Sequence, residues 1–178
     1  AKKNNILMLD RKGVLNGHRN ALNAYKQQWI NHETSANTLE EAMHDADVFV
    51  GLAGPDLLNE SMLKSMAKNP ILFALSNPNP EIDPKLASQI RPDAIIATGR
   101  SDFPNQINNV LCFPYIFRGA LDARAKSITL KMKLAAMQAI AQCAESSDKF
   151  GKNWIVPLPT DPKLKETVSD AVRNAADH

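Results

Sequence analysis

The sequence predicts an α/β protein built on a doubly wound parallel sheet. Four apolar runs of four or five residues, at 6–9, 48–52, 71–75 and 94–97, each end at a turn signal. Segments with helical spacing or helix-capping residues separate them. Strands this short and this uniformly apolar, alternating with helices, belong in a parallel sheet covered on both faces.

The elements follow in order. Residues 6–9 form the first strand, which ends at Asp10 and opens into a turn-rich loop over 11–17. Residues 20–30 suit a helix with Leu22, Tyr25, Trp29 and Ile30 on its apolar face. Thr38 and Glu41 have capping-box spacing: the hydroxyl accepts a free amide and the carboxylate reaches back. The helix they open should end near Ala46. After strand 48–52, Asn59 stands where it can cap a helix over 59–67. Strand 71–75 is closed by Ser76, Asn77, Pro78, Asn79 and Pro80, and Pro84 opens a short helix over 84–89. Strand 94–97 completes the series. Helices are expected over 113–124 and 129–145, then a polar link over 146–151 and a last helix over 163–175. Residues 1–145 thus form the layered domain, and 146–178 a link and helix packed on it.

The bulk numbers narrow the function classes. A chain of 178 residues is enough for one well-packed domain. With 44% hydrophobic and 22% charged residues the composition is that of an ordinary globular protein. A net charge of +2, with no Lys/Arg stripe, argues against a nucleic-acid binder. No run reaches the length of a membrane span and no signal-peptide pattern opens the chain, so neither a membrane nor secretion is expected. Cys112 and Cys143 lie in apolar surroundings without metal spacing, as buried reduced thiols of a cytoplasmic protein would. The chain begins at Ala1 and its first strand follows almost at once, which reads as a fragment.

Polar residues gather where the strands end, and open α/β sheets bind ligands at the carboxyl ends of their strands. The densest group is Thr98, Arg100, Ser101, Asp102, Asn105, Gln106, Asn108 and Asn109, after strand 94–97. By composition it is either a polar loop with a helix cap or a binding loop. Asp10 is either a turn residue or an acceptor for ribose hydroxyls. Gly51, Ala53 and Gly54 carry little or no side chain, which lets a ligand approach the backbone or simply makes a tight turn before Pro55. Asn77 offers both donor and acceptor without charge, and Asn before Pro is also common in plain turns. Arg100 and Asp102 read as a supporting ion pair. Glu40, Glu41, Asp45 and Asp47 sit in helix-start or surface patterns, so none is assigned to a metal.

Four stretches share one resemblance. The residues from Ala97 to Asp122, reading ATGRSDFPNQINNVLCFPYIFRGALD, closely resemble a signature of the malic enzyme family in its bacterial form. FALSNPNPE over 73–81 looks like a second landmark, ADVFVG over 46–51 fits the strand before it, and WIVPLPTDP over 154–162 resembles the closing segment. The resemblance implies a Rossmann-like NAD(P)-binding domain lacking its first strand and glycine-rich phosphate loop. It implies oxidative decarboxylation of (S)-malate to pyruvate and CO2, with reduction of NAD or NADP. Asp10, Arg11, Lys12, Gly51, Ala53, Gly54, Asn77 and Asn108 would contact the cofactor. Asn77, Asn108 and Asn109 would face malate. Asp10 would repel a 2′-phosphate while Arg11, Lys12, His18 and Arg19 would neutralise one, so the choice between NAD and NADP stays open.

In that family a Lys base, a Tyr acid and three carboxylates holding Mg2+ or Mn2+ precede the glycine-rich turn. No catalytic residue and no metal ligand is therefore expected in this chain, and alone it should be inactive. The implied partners are malate, an amino-terminal catalytic domain of the same protein and further copies in a homo-oligomer. The alternatives are half of a split dehydrogenase and a non-catalytic nucleotide-binding or assembly module.

Overall fold

The structure is a computed structural model that describes residues 2–176. At its centre three parallel strands, β3 (Val48–Gly51), β4 (Ile71–Ala74) and β5 (Ile95–Thr98), pair in the order β3-β4-β5. Their registers align Val48 with Ile71 and Ile95, and Gly51 with Ala74 and Thr98. All three strands therefore end on one line.

Helices α2 (Leu39–Met43), α3 (Glu60–Ser65) and α4 (Pro84–Ile90) join this sheet in one core of Met43, Leu58, Leu63, Met66, Leu72, Ile82 and Ala87, with Phe49 and Ile96 against it. The expected caps are present. Thr38 Oγ accepts from the Glu41 amide at 3.1 Å and the Glu41 carboxylate accepts from the Thr38 amide at 3.2 Å. Asn59 caps α3 through the Met62 amide at 2.9 Å; Pro84 opens α4 as expected, behind a cap by Asp83 that the sequence pattern did not single out. Arg91 adds a brace that sequence reading did not find. Its guanidinium donates to the carbonyls of Leu63, Met66 and Ala67 at the end of α3, where helix carbonyls lack partners.

Two expectations need correction. Residues 6–9 do not extend the parallel sheet. The short strand β1 (Leu9–Asp10) turns back at once and pairs antiparallel with β2 (Gly13–Val14), the Asp10 carboxylate accepting from the Lys12 amide inside the turn at 2.9 Å. A two-residue turn satisfies the strand locally, so among the described residues it needs no partner in the sheet. The cover on one face is also incomplete at the β3 edge, where Val48 and Val50 are 51% and 53% exposed, while Ala97 on the same face is buried.

The helix over 20–30 contracts to the single turn α1 (Ala24–Gln27), capped by Asn23. Ala21 has a positive φ of 55° that stops helix upstream, and Tyr25 is 80% exposed, so no apolar face docks to extend it.

The remaining helices, α5 (Tyr115–Asp122), α6 (Leu130–Glu145) and α7 (Lys163–Asn174), share a second core of Leu111, Met132, Ala136, Ala139, Leu164, Val168 and Val172. Helix α7 packs on both α5 and α6. Cys143 is buried there and Cys112 is partly buried; both are free thiols, and burial raises the Cys112 pKa. Among the described residues no helix is long and apolar enough to cross a membrane.

Candidate functional site at the strand exits

Beyond Gly51, Ala74 and Thr98 the chain leaves three adjacent parallel strands side by side, and the residues singled out from the sequence divide according to that geometry. Gly51, Ala53 and Gly54 lie at the β3 exit, Asn77 at the β4 exit, and Asn108 and Asn109 on the loop returning from β5. Asp10, Arg11 and Lys12 lie apart, on the β1–β2 hairpin.

The β5 loop is drawn back onto its own strand. The Ile107 amide donates to the Thr98 carbonyl at 2.8 Å, and Gln106 and Asn108 both donate side-chain N–H groups to the Gly99 carbonyl. Asn108 Oδ1 also accepts from the Val110 amide at 3.1 Å, so this side chain caps the short turn Asn109–Leu111. Of the adjacent pair, Asn108 is the brace, and Asn109 is exposed beside it. Arg100 and Asp102 form the expected ion pair at 2.6 Å, and the guanidinium lies 5.4 Å from the centre of the Phe103 ring.

Asn105 is buried and was missed as a joint. Its amide donates to the carbonyls of Ile96 and Lys152, and its oxygen accepts from the Ile155 amide, tying β5 to the segment before α7. The Ile155 partner lies 50 residues away, so no local pattern reveals it.

Small residues at the β3 exit serve two ends. A Cβ on Gly51 would fall 2.3 Å from Glu81 Cδ, so this glycine makes room for Glu81. At Gly54 a Cβ would meet no heavy atom within 4 Å, and here the backbone faces open space. Ala53 and Asn77 are exposed on either side. Uncharged amides and bare backbone suit a carboxamide or hydroxyl group. Among the described residues no group of three His, Cys, Asp or Glu could hold a metal ion.

On the hairpin, Asp10 already has its acceptor capacity filled. Lys26 Nζ lies 2.6 Å from Oδ2, Arg19 donates to both oxygens at 2.9 and 3.0 Å, and the Lys12 amide takes Oδ1. The Lys26 ammonium, with the Lys12 amide and the Arg19 guanidinium, holds the carboxyl far below the usual carboxylate range. Because the folded-state pKa is depressed, this stability is present above the unfolded value and is lost as pH falls toward the folded one. Wild type should therefore melt above Asp10→Asn at neutral pH, with the gap closing below about pH 4. A gap that stays constant from neutral to acid pH in thermal unfolding would disprove the pairing.

A family model described as malic enzyme, NAD binding domain, matches residues 1–173. The chain belongs to the malic enzyme family. The NADP-dependent malic enzyme of Halomonas elongata is 50% identical over 99% of the chain and 44% of its own length. That of Escherichia coli is 44% identical over 98% of the chain and 25% of its own length. Among solved structures, the NAD-dependent malic enzyme of Thermotoga maritima superposes with a TM-score of 0.84 at 40% identity, covering 94% of this chain and 44% of the other. The chain thus spans less than half the length of these relatives. Their shared malic enzyme fold agrees with the α/β parallel-sheet class read from the strand pattern and with the Rossmann-like domain that the resemblance implies.

Proposed function

We propose that the chain is the NADP-binding portion of a cytoplasmic malic enzyme that converts (S)-malate to pyruvate and CO2. The observation that carries this reading is the convergence of Ala53, Gly54, Asn77 and Asn109 at three adjacent strand exits, in a chain matching the family's NAD-binding domain. A bound nicotinamide would supply the acceptor for the hydride leaving the malate carbinol carbon. The bare backbone at Gly54 gives the ring a surface to approach, and Asn77 orients it with a donor and an acceptor. Asn109 faces the substrate side, and Asn108 holds that loop through Gly99 and Val110.

The preference for NADP over NAD rests on Asp10. Its charge is cancelled by Arg19 and Lys26, which removes the repulsion a bare carboxylate would exert on a 2′-phosphate. The glycine-rich loop that holds the pyrophosphate would belong to the rest of the dinucleotide-binding domain, and the Lys and Tyr acid–base groups and the carboxylates for Mg2+ or Mn2+ to an amino-terminal catalytic domain of the same protein. The sequence itself carries no GxGxxG turn.

Substituting this chain for the matching segment of the Halomonas elongata enzyme should give malate-dependent NADP+ reduction with Mg2+. The 178-residue chain by itself should give none. A folded chimaera that binds NADPH but leaves malate untouched would overturn the malate assignment. Turnover by the isolated chain would overturn the division of labour between the two parts.

A further inference from the structure

Glu81 is a fully buried carboxylate, 0% exposed, that forms no ion pair among the described residues. It satisfies itself on neutral donors from two different strand exits. Oε1 accepts from Ser76 Oγ at 2.5 Å and from the Ala53 amide at 3.3 Å; Oε2 accepts from the Ser76 amide at 3.2 Å. The main chain continues the seam. The Glu81 carbonyl accepts from the Leu58 amide at 3.0 Å, and the Pro80 carbonyl from Asp56 at 3.3 Å.

A buried acid with no cation is an expensive way to fill space. Its neighbours Leu58 and Ile82 belong to the apolar core, where a hydrocarbon side chain would pack without desolvating a charge. A carboxylate differs in that several N–H and O–H groups can converge on its two oxygens with fixed directions. Here those donors belong to the loops that carry Ala53 and Gly54 on one side and Asn77 on the other. Gly51 is part of the same arrangement, since only a residue without a Cβ lets the Glu81 side chain reach between the strands.

We infer that Glu81 is a positioning residue: it fastens the β3 exit to the β4 exit and so sets the spacing between the Gly54 backbone and Asn77. That spacing governs how tightly the nicotinamide end of the dinucleotide is held. The assignment rests on the dinucleotide-binding reading above, and two measurements keep the failure of each distinguishable.

The first is hydrogen exchange on the 178-residue chain, which needs no cofactor. In wild type the Ala53 and Ser76 amides should exchange slowly. In Glu81→Gln, whose NH2 turns a donor toward these donors, both should exchange at least tenfold faster while Ala139 and Val168 in the helical core keep their protection. Unchanged exchange at Ala53 and Ser76 would overturn the clamp. Should Glu81→Gln lose protection everywhere, Ser76→Ala takes its place. It removes a single donor, and faster exchange at Ala53 is still expected; no change there would count against the clamp.

The second is NADPH titration of the cofactor-free Halomonas elongata chimaera carrying this chain. Glu81→Gln should raise Kd at least tenfold at an unchanged number of sites. A merely structural role would instead reduce the number of sites at unchanged Kd, and that result would overturn the positioning role. A chimaera carrying the unsubstituted chain that folds but binds no NADPH would sink the dinucleotide reading, and the exchange result would then decide the clamp by itself.

Discussion

Gly119→Ala is expected to destabilise the protein, although alanine is the better helix former by about 1 kcal/mol. Gly119 is buried at the point where α5 meets α7. A Cβ there would stand 2.4 Å from the Ser169 carbonyl oxygen, 2.7 Å from Val172 Cβ and 3.0 Å from Val172 Cγ1. The nearest of these atoms is backbone, so no rotamer change relieves the contact. The helices would have to separate, which opens the core around Leu164, Val168 and Val172. Overpacking of this kind costs about 1–3 kcal/mol, and a backbone contact belongs at the upper end. The propensity gain is smaller than that, so the net change should be a loss. Urea unfolding followed by Trp154 fluorescence should show a lower midpoint at unchanged m-value. A midpoint equal to or above wild type would show that the two helices yield more readily than this packing implies.

Gly51→Ala is the second large effect, and its cause is a side chain rather than backbone. The new methyl would lie 2.3 Å from Glu81 Cδ, 2.4 Å from Glu81 Oε1 and 2.7 Å from Phe49 Cε1. Glu81 cannot move aside without abandoning Ser76 and Ala53, which would leave a buried carboxylate short of donors. A loss of about 2–3 kcal/mol is expected from these terms together. Because both positions compete for one space, the losses should not add. In a Glu81→Ala background the Gly51→Ala change should cost markedly less, and only the Phe49 contact should remain. A double-mutant cycle measures this directly, and additivity within about 0.5 kcal/mol would refute the shared-space account.

The two glycines illustrate different degrees of legibility. Gly51 stood out in the sequence because it carries no side chain near the end of strand 48–52, which suited either a ligand approaching the backbone or a tight turn before Pro55. On the side a Cβ would occupy, the group that comes close is Glu81, 30 residues further on. Gly119 carries no local signal, since its requirement comes from Ser169 and Val172 on another helix. Glu81 itself was visible only as the last letter of the FALSNPNPE stretch. Its burial depends on β3 and β4 lying side by side.

What the sequence alone determined is whatever depends on neighbours within about four residues or on a recurring motif. The capping box at Thr38 and Glu41, the Asn59 cap, Pro84 at the start of α4 and the three parallel strands are of this kind. So are the Arg100–Asp102 pair and the family itself. Hydrogen-bond geometry within a turn, and the apolar period of a short strand, are properties of a few consecutive residues. Tertiary structure alone decided where the first strand goes, how far each sheet face is covered, and what surrounds Asp10, Glu81 and Asn105. The side-chain partners Lys26 of Asp10, Ser76 of Glu81 and Ile155 of Asn105 lie 16, 5 and 50 residues away. Apolar runs of equal quality compete for the same places in a sheet, and only the packed chain resolves which pairing leaves fewest polar groups unmet.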